Sequence, residues 1–190
     1  MRRHFPAVVA LLGLLGASAG VRAAAPDVPA AQPAEWRSYD LLVRLQNLPH
    51  TYSCDDLWYK LRDVLLKLGA RAYMTLTPYH CGITGGGPAT SPNLELKFQL
   101  PSVLTGTAER YAQISVVNEA VRLAPGSPPS LTDKDCQLVR QLQGTLFAAL
   151  PLQVTAADFK CTEALPSFAL NLQAPIATGR EAAAQPPSRR

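Results

Sequence analysis

The sequence predicts an α+β domain folded as a two-layer sandwich, in which a mixed sheet of up to six strands carries two helices on one face. It further predicts that this sandwich is a tandem β-α-β-β duplication stapled by disulfides. Three observations support the prediction. The chain between its tails reads twice. Its strand segments alternate apolar and polar, while its helical segments carry one apolar stripe. Four cysteines stand at matching places in the two copies.

The repeat rests on landmarks in the same order. Val43-Arg44-Leu45 in unit 39–101 matches Val121-Arg122-Leu123 in unit 112–175. A capped helix with a cysteine in its first turn follows in each. A strand then ends aromatic-basic-Cys, Tyr79-His80-Cys81 in one copy and Phe159-Lys160-Cys161 in the other. Last comes Leu96-Lys97-Phe98-Gln99-Leu100-Pro101 against Leu170-Asn171-Leu172-Gln173-Ala174-Pro175.

Each element has a local reason. In 40–48, Leu41, Val43 and Leu45 alternate with Leu42, Arg44 and Gln46, the period of a half-buried strand. Ser53 caps a helix, with Asp56 three residues on as a short-armed capping box. Leu57, Leu61, Val64, Leu65 and Leu68 lie along one helical face, and Gly69 stops it. Residues 72–80 return as a strand with Met74 and Leu76 inward. Leu94, Leu96, Phe98 and Leu100 alternate with Glu95, Lys97 and Gln99 in the third strand. In 113–123 the apolar phase shifts near Val116-Val117, which predicts a bulge. Thr132, with Asp135 three on, caps a second helix carrying Leu138, Val139, Leu142, Leu146 and Leu150, and Pro151 ends it. Residues 152–160 and 168–174 complete the unit. Burying one face of such strands against two striped helices leaves the other sheet face wet, or free to bind a ligand.

The ends predict export. Met1-Arg2-Arg3-His4 is a basic leader, and "AVVALLGLLG" (7–16) is an apolar run of signal-peptide length, too short to span a bilayer. Cleavage is expected after Ala23, giving a periplasmic or secreted chain with no transmembrane segment after processing. Arg2-Arg3 lacks the rest of a twin-arginine motif. Residues 24–35 are an Ala/Pro linker and 175–190 a Pro/Ala tail, both expected to be disordered, which bounds one globular domain at 36–174. Removing Arg2, Arg3 and Arg22 from the 18 Lys+Arg leaves 15 against 14 acids, a formal +1. So small a charge gives no footprint for nucleic acid. The expected partner is a protein or another envelope component.

Four cysteines in an exported chain are most economically two disulfides. A helix from Cys54 to Leu68 rises roughly 21 Å, and a strand from Tyr73 to Cys81 returns roughly 26 Å. The strand end therefore arrives near the helix start, predicting Cys54–Cys81 and, by repetition, Cys136–Cys161. The alternative is a metal site of His50 and His80, with or without thiolates. Oxidised cysteines disfavour the thiolate form, and Lys160 replaces His80 in the second copy.

No motif indicates an enzyme. Gly-x-Ser-x-Gly and His-Glu-x-x-His are absent, and the paired Asp55 and Asp56 are explained by the helix dipole. "GITGGGPAT" (82–90), with Gly85, Gly86 and Gly87, lacks the lysine of a phosphate loop and reads as a long hairpin loop added to one copy. Tyr52, Trp58 and Tyr59 cluster at the first helix start. Together with His80 and the loop they form the predicted contact surface, because aromatics are enriched where binding energy concentrates. The sequence thus points to a non-catalytic binding or assembly module of a bacterial envelope, without cofactor. A metal-responsive protein using His50 and His80, or a small envelope hydrolase, are the alternatives.

Overall fold

The computed structural model describes residues 30–79, 91–162 and 164–179. The expected leader 1–23, linker residues 24–29, His80, Cys81, the 82–90 loop and residues 180–190 lie outside them. Strands are β1 (Gln32–Arg44), β2 (Thr75–Tyr79), β3 (Asn93–Val103), β4 (Ile114–Leu123), β5 (Gln153–Lys160) and β6 (Ser167–Ala177). The α-helices are α1 (Cys54–Lys67) and α2 (Cys136–Thr145).

Both helices start where short-range chemistry places them. The Ser53 hydroxyl accepts from the Asp56 amide at 3.0 Å. Gly69 adopts φ +88°, the left-handed conformation that ends a helix cheaply only for glycine. Thr132 and Asp135 form a reciprocal capping box around a 3-10 turn, Asp133–Asp135, that leads into α2. Leu57, Leu61, Val64 and Leu65 of α1 and Leu138, Val139 and Leu142 of α2 are buried. They belong to one apolar cluster with Leu94, Leu96, Phe98 and Leu100 of β3 and Phe168, Leu170, Leu172 and Ala174 of β6. Each fully buried leucine in it contributes about 1.5–3 kcal/mol.

The sheet order is β2-β3-β1-β4-β6-β5, and every neighbouring pair is antiparallel. The expected mixed sheet is therefore corrected. The strand after each helix does run parallel to the strand before it, but β3 and β6 are inserted between them, so no parallel pair touches.

The domain is longer at both ends than composition suggested. Residues 32–35, expected in the disordered linker, open β1, and Gln32–Ala34 pair with Val116–Ile114. Pro33 lacks an amide hydrogen but its carbonyl accepts from Leu104 at 2.9 Å, so the strand tolerates it. At the other end Pro175 is buried in β6, which runs to Ala177, and the Thr178 amide donates to the Ser115 carbonyl at 2.8 Å.

The phase change in β4 also has a different cause from the one expected. Pairing of β4 with β6 is unbroken from Val116–Ala177 to Leu123–Leu170, so β4 has no bulge there. The register shift falls in β5, between Val154 and Ala156. Val121 and Leu123 join the main cluster, whereas Ile114 and Val116 join a second one with Ala34, flanked by Trp36, Val103 and Ala177. Strand alternation puts these six side chains on the opposite sheet face. β4 thus changes the face it buries rather than its pairing.

Candidate functional site

The predicted contact surface separates into a buried part and an exposed part. Tyr52 is only 4% exposed and belongs to the main core, which removes it from that surface. It stands just before the Ser53 cap, with Leu57 five positions on, the spacing of a hydrophobic staple, and both are buried. Its hydroxyl donates to the Lys134 carbonyl at 3.4 Å. Burial, and after it the Asp135 carboxylate, push the phenol well above the ordinary tyrosine range.

Trp58 is half-buried against the core, and Tyr59 is 58% exposed. Their rings meet edge-to-face at 5.0 Å, and the Arg62 guanidinium lies 5.6 Å from the Trp58 ring centre. His80, Gly85, Gly86 and Gly87 lie outside the described residues.

His50 is exposed and lines a cleft with Pro49, Lys134 and the Cys136–Cys161 disulfide. That cleft holds about 40 Å³, room for a water or two and no more. Cys136 and Cys161 are bonded as predicted, with Cα atoms 5.4 Å apart. The predicted Cys54–Cys81 pair involves a cysteine outside the described residues. Among the described residues, no three His, Cys, Asp or Glu side chains gather as a metal cluster. No described helix is long and apolar enough to cross a membrane.

The better-formed site lies on the second sheet face. The segment before β2 continues along β3, since the Arg71 amide donates to the Gln99 carbonyl at 3.1 Å. Alternation then sets Tyr73 and Thr75, Lys97 and Gln99, and Ser38 and Asp40 side by side on three adjacent strands. They line a depression of about 360 Å³ that the strand backbone at Tyr39, Met74 and Phe98 floors, and among the described residues no helix residue lines it. The Tyr39 and Phe98 rings stack 5.5 Å apart on the opposite, helix-side face, where they brace the same strands.

Hydrogen bonds orient the polar walls. Arg71 Nη1 donates to Gln99 Oε1 at 3.1 Å, which turns the Gln99 amide so that its Nε2 donates to Ser38 Oγ, also at 3.1 Å. Lys97 Nζ lies 2.7 Å from Glu95 and 3.5 Å from Asp40. Glu95, with Asp40 behind it, holds the Lys97 ammonium above the ordinary lysine range. The Arg71 guanidinium stacks 4.4 Å over the Trp36 ring. At this end of the groove, Trp36 Nε1 and Arg71 Nε are shielded from solvent and have no acceptor among the described residues.

A wider, open hollow of about 580 Å³ lies between the end of β1 and α2. No aromatic lines it, and Gln46 and Gln141 satisfy each other there through bonds of 2.8 and 2.6 Å. The depression at Tyr73 is therefore the stronger candidate. Sequence reasoning marked Lys97 and Gln99 as a polar strand face. It did not reach Tyr73, Ser38 or Asp40, because only strand pairing brings them beside it.

No protein-family model, curated protein or solved structure matches this chain.

Proposed function

We propose that this chain is an exported, non-catalytic binding or assembly module of a bacterial envelope, and that it binds through its open sheet face. The observation that carries this reading is the Tyr73–Lys97–Asp40 depression, where exposed polar groups and a tyrosine are set side by side on rigidly paired strands. Rigid strands beneath a partly aromatic hollow are a usual setting for ligand recognition. The Cys136–Cys161 disulfide is compatible with an oxidising compartment and supports export.

In this reading the scaffold is a duplicated β-α-β-β unit folded as a two-layer sandwich. Two features support it. Outward from the β1–β4 seam the strand order is first-third-second in both units, β1-β3-β2 and β4-β6-β5. Each α-helix also has a cysteine as its first residue, Cys54 and Cys136.

Retention of an envelope component on immobilised mature protein tests the function. Wild type should retain it. Tyr73→Ala with Lys97→Ala should lose it, and Trp58→Ala should keep it. Equal recovery from all three removes the groove from the function.

A further inference from the structure

We infer that the Tyr73–Lys97–Asp40 groove is a saccharide site that takes a neutral oligosaccharide lying across β2, β3 and β1. This inference rests on the binding reading above and names its ligand class.

Charge excludes the obvious ionic ligands first. Among the described residues, the charged groups lining the groove are Asp40 and Lys97, an ion pair of opposite sign, with Glu95 2.7 Å from the same ammonium. A polyanion meets Asp40 and a polycation meets Lys97, so neither finds a complementary surface. What remains favours a ligand carrying donors and acceptors together. The groove offers that mixture: a carboxylate acceptor at Asp40, an ammonium donor at Lys97, an amide at Gln99, and hydroxyls at Ser38 and Thr75. Sugar hydroxyls match it because each both donates and accepts.

The spacing also suits a sugar. Adjacent strands stand about 4.8 Å apart, so side chains on one face repeat at about the width of a sugar ring. Tyr73, 77% exposed at the groove rim, presents an aromatic face that the apolar C–H side of a ring can cover. The unpartnered Trp36 Nε1 and Arg71 Nε lie next to Ser38 and Gln99. A hydroxyl or acetamido oxygen at that end supplies the acceptor they lack, once the Arg71 side chain turns toward it. An extended peptide fits less well. It would dock by adding to the β2 edge, where Pro78 has no amide hydrogen to give.

The experiment uses the mature full-length protein carrying Trp58→Phe. Trp36 is then the sole tryptophan and reports on the groove end. Its fluorescence is titrated with an N-acetylglucosamine trimer, with maltotriose and with a strand-forming peptide. Saturable change with at least one saccharide, and none with the peptide, is expected. Tyr73→Ala should weaken saccharide binding by about tenfold, the upper range for an aromatic contact, and Tyr73→Phe by less than about twofold. Tyr73 is exposed, so neither change threatens folding. No saturable change at millimolar saccharide overturns the inference, and so does binding of the peptide alone. If saccharides fail while Tyr73→Ala with Lys97→Ala still abolishes retention of an envelope component, the ligand class is wrong and the binding reading stands. If that retention is also unchanged, both fall.

Discussion

Lys60 Nζ lies 3.0 Å from Asp135 Oδ2, and both side chains are buried. The pair joins α1 to the turn that starts α2, across 75 residues of sequence. Asp135 Oδ2 also accepts from the Thr132 amide at 2.7 Å and its hydroxyl at 2.9 Å, while Lys60 Nζ donates to the Ser130 carbonyl at 2.7 Å. One carboxylate thus caps the start of α2 and neutralises a buried cation on α1.

Removing Lys60 leaves the Asp135 carboxylate buried without a cation. Lys60→Met should therefore lower stability by about 3–5 kcal/mol. Adding Asp135→Asn to Lys60→Met removes the stranded charge and keeps an oxygen for the cap, so the double variant should recover part of that loss. Urea unfolding midpoints measure both. A Lys60→Met midpoint equal to wild type would show that the pair contributes nothing.

The Cys136–Cys161 bridge closes a loop across a separation of 25 residues. Replacing both cysteines by serine should cost about 3–4 kcal/mol in the chain-entropy account. A peptide map of the unreduced protein should recover the 136–161 link, and by the same geometry a 54–81 link. Unlinked Cys54 and Cys81 peptides would refute the second pairing.

Tyr52 sets an alkaline limit. Its folded pKa is raised from the ordinary 10.0, first by burial. The unfolded chain therefore releases this proton before the folded chain does. The contribution is fully present below about pH 10 and is lost as pH rises above it, by about 1.4 kcal/mol per pH unit. Tyr52→Phe should flatten the alkaline fall in denaturant midpoint relative to wild type. Parallel curves for the two proteins would contradict the assignment.

Two glycines should respond in opposite directions to alanine. A Cβ at Gly69 would sit 2.9 Å from Ile176 Cδ1 and 3.2 Å from the Pro175 carbonyl, at φ +88°. Gly69→Ala should cost about 1–3 kcal/mol. Gly144 lies in α2 with nothing within 4 Å of an added Cβ, so Gly144→Ala should gain about 0.5–1 kcal/mol. Thermal unfolding of both variants checks the sign. A stabilised Gly69→Ala would mean that the α1–β6 contact yields easily.

Much of the fold was legible because its causes are local. Ser53 and Thr132 cap helices by reaching amides three residues away, and the β3 alternation needs only its own residues. The candidate site was legible only in fragments. Lys97 and Gln99 appeared as polar strand positions, but Tyr73 approaches Gln99 through β2–β3 pairing and Asp40 approaches Lys97 through β1–β3 pairing. From its neighbours alone Tyr52 is a surface aromatic, because nothing near it in the chain records the core cluster that covers it.

The sequence by itself determined the helix starts, the strand periods, the α+β class and the pairing of Cys136 with Cys161. Each follows from contacts within one turn, one strand or one helix-strand return. Tertiary structure alone decided that the sheet is wholly antiparallel, that Gln32–Glu35 and Pro175–Ala177 belong to it, and that β4 buries different faces along its length. It alone brought Lys60 to Asp135 and set Thr75 and Asp40 on either side of Lys97. These outcomes depend on which distant segments share a surface, and burial and electrostatics are decided by that partner rather than by the residue's own neighbours in the chain.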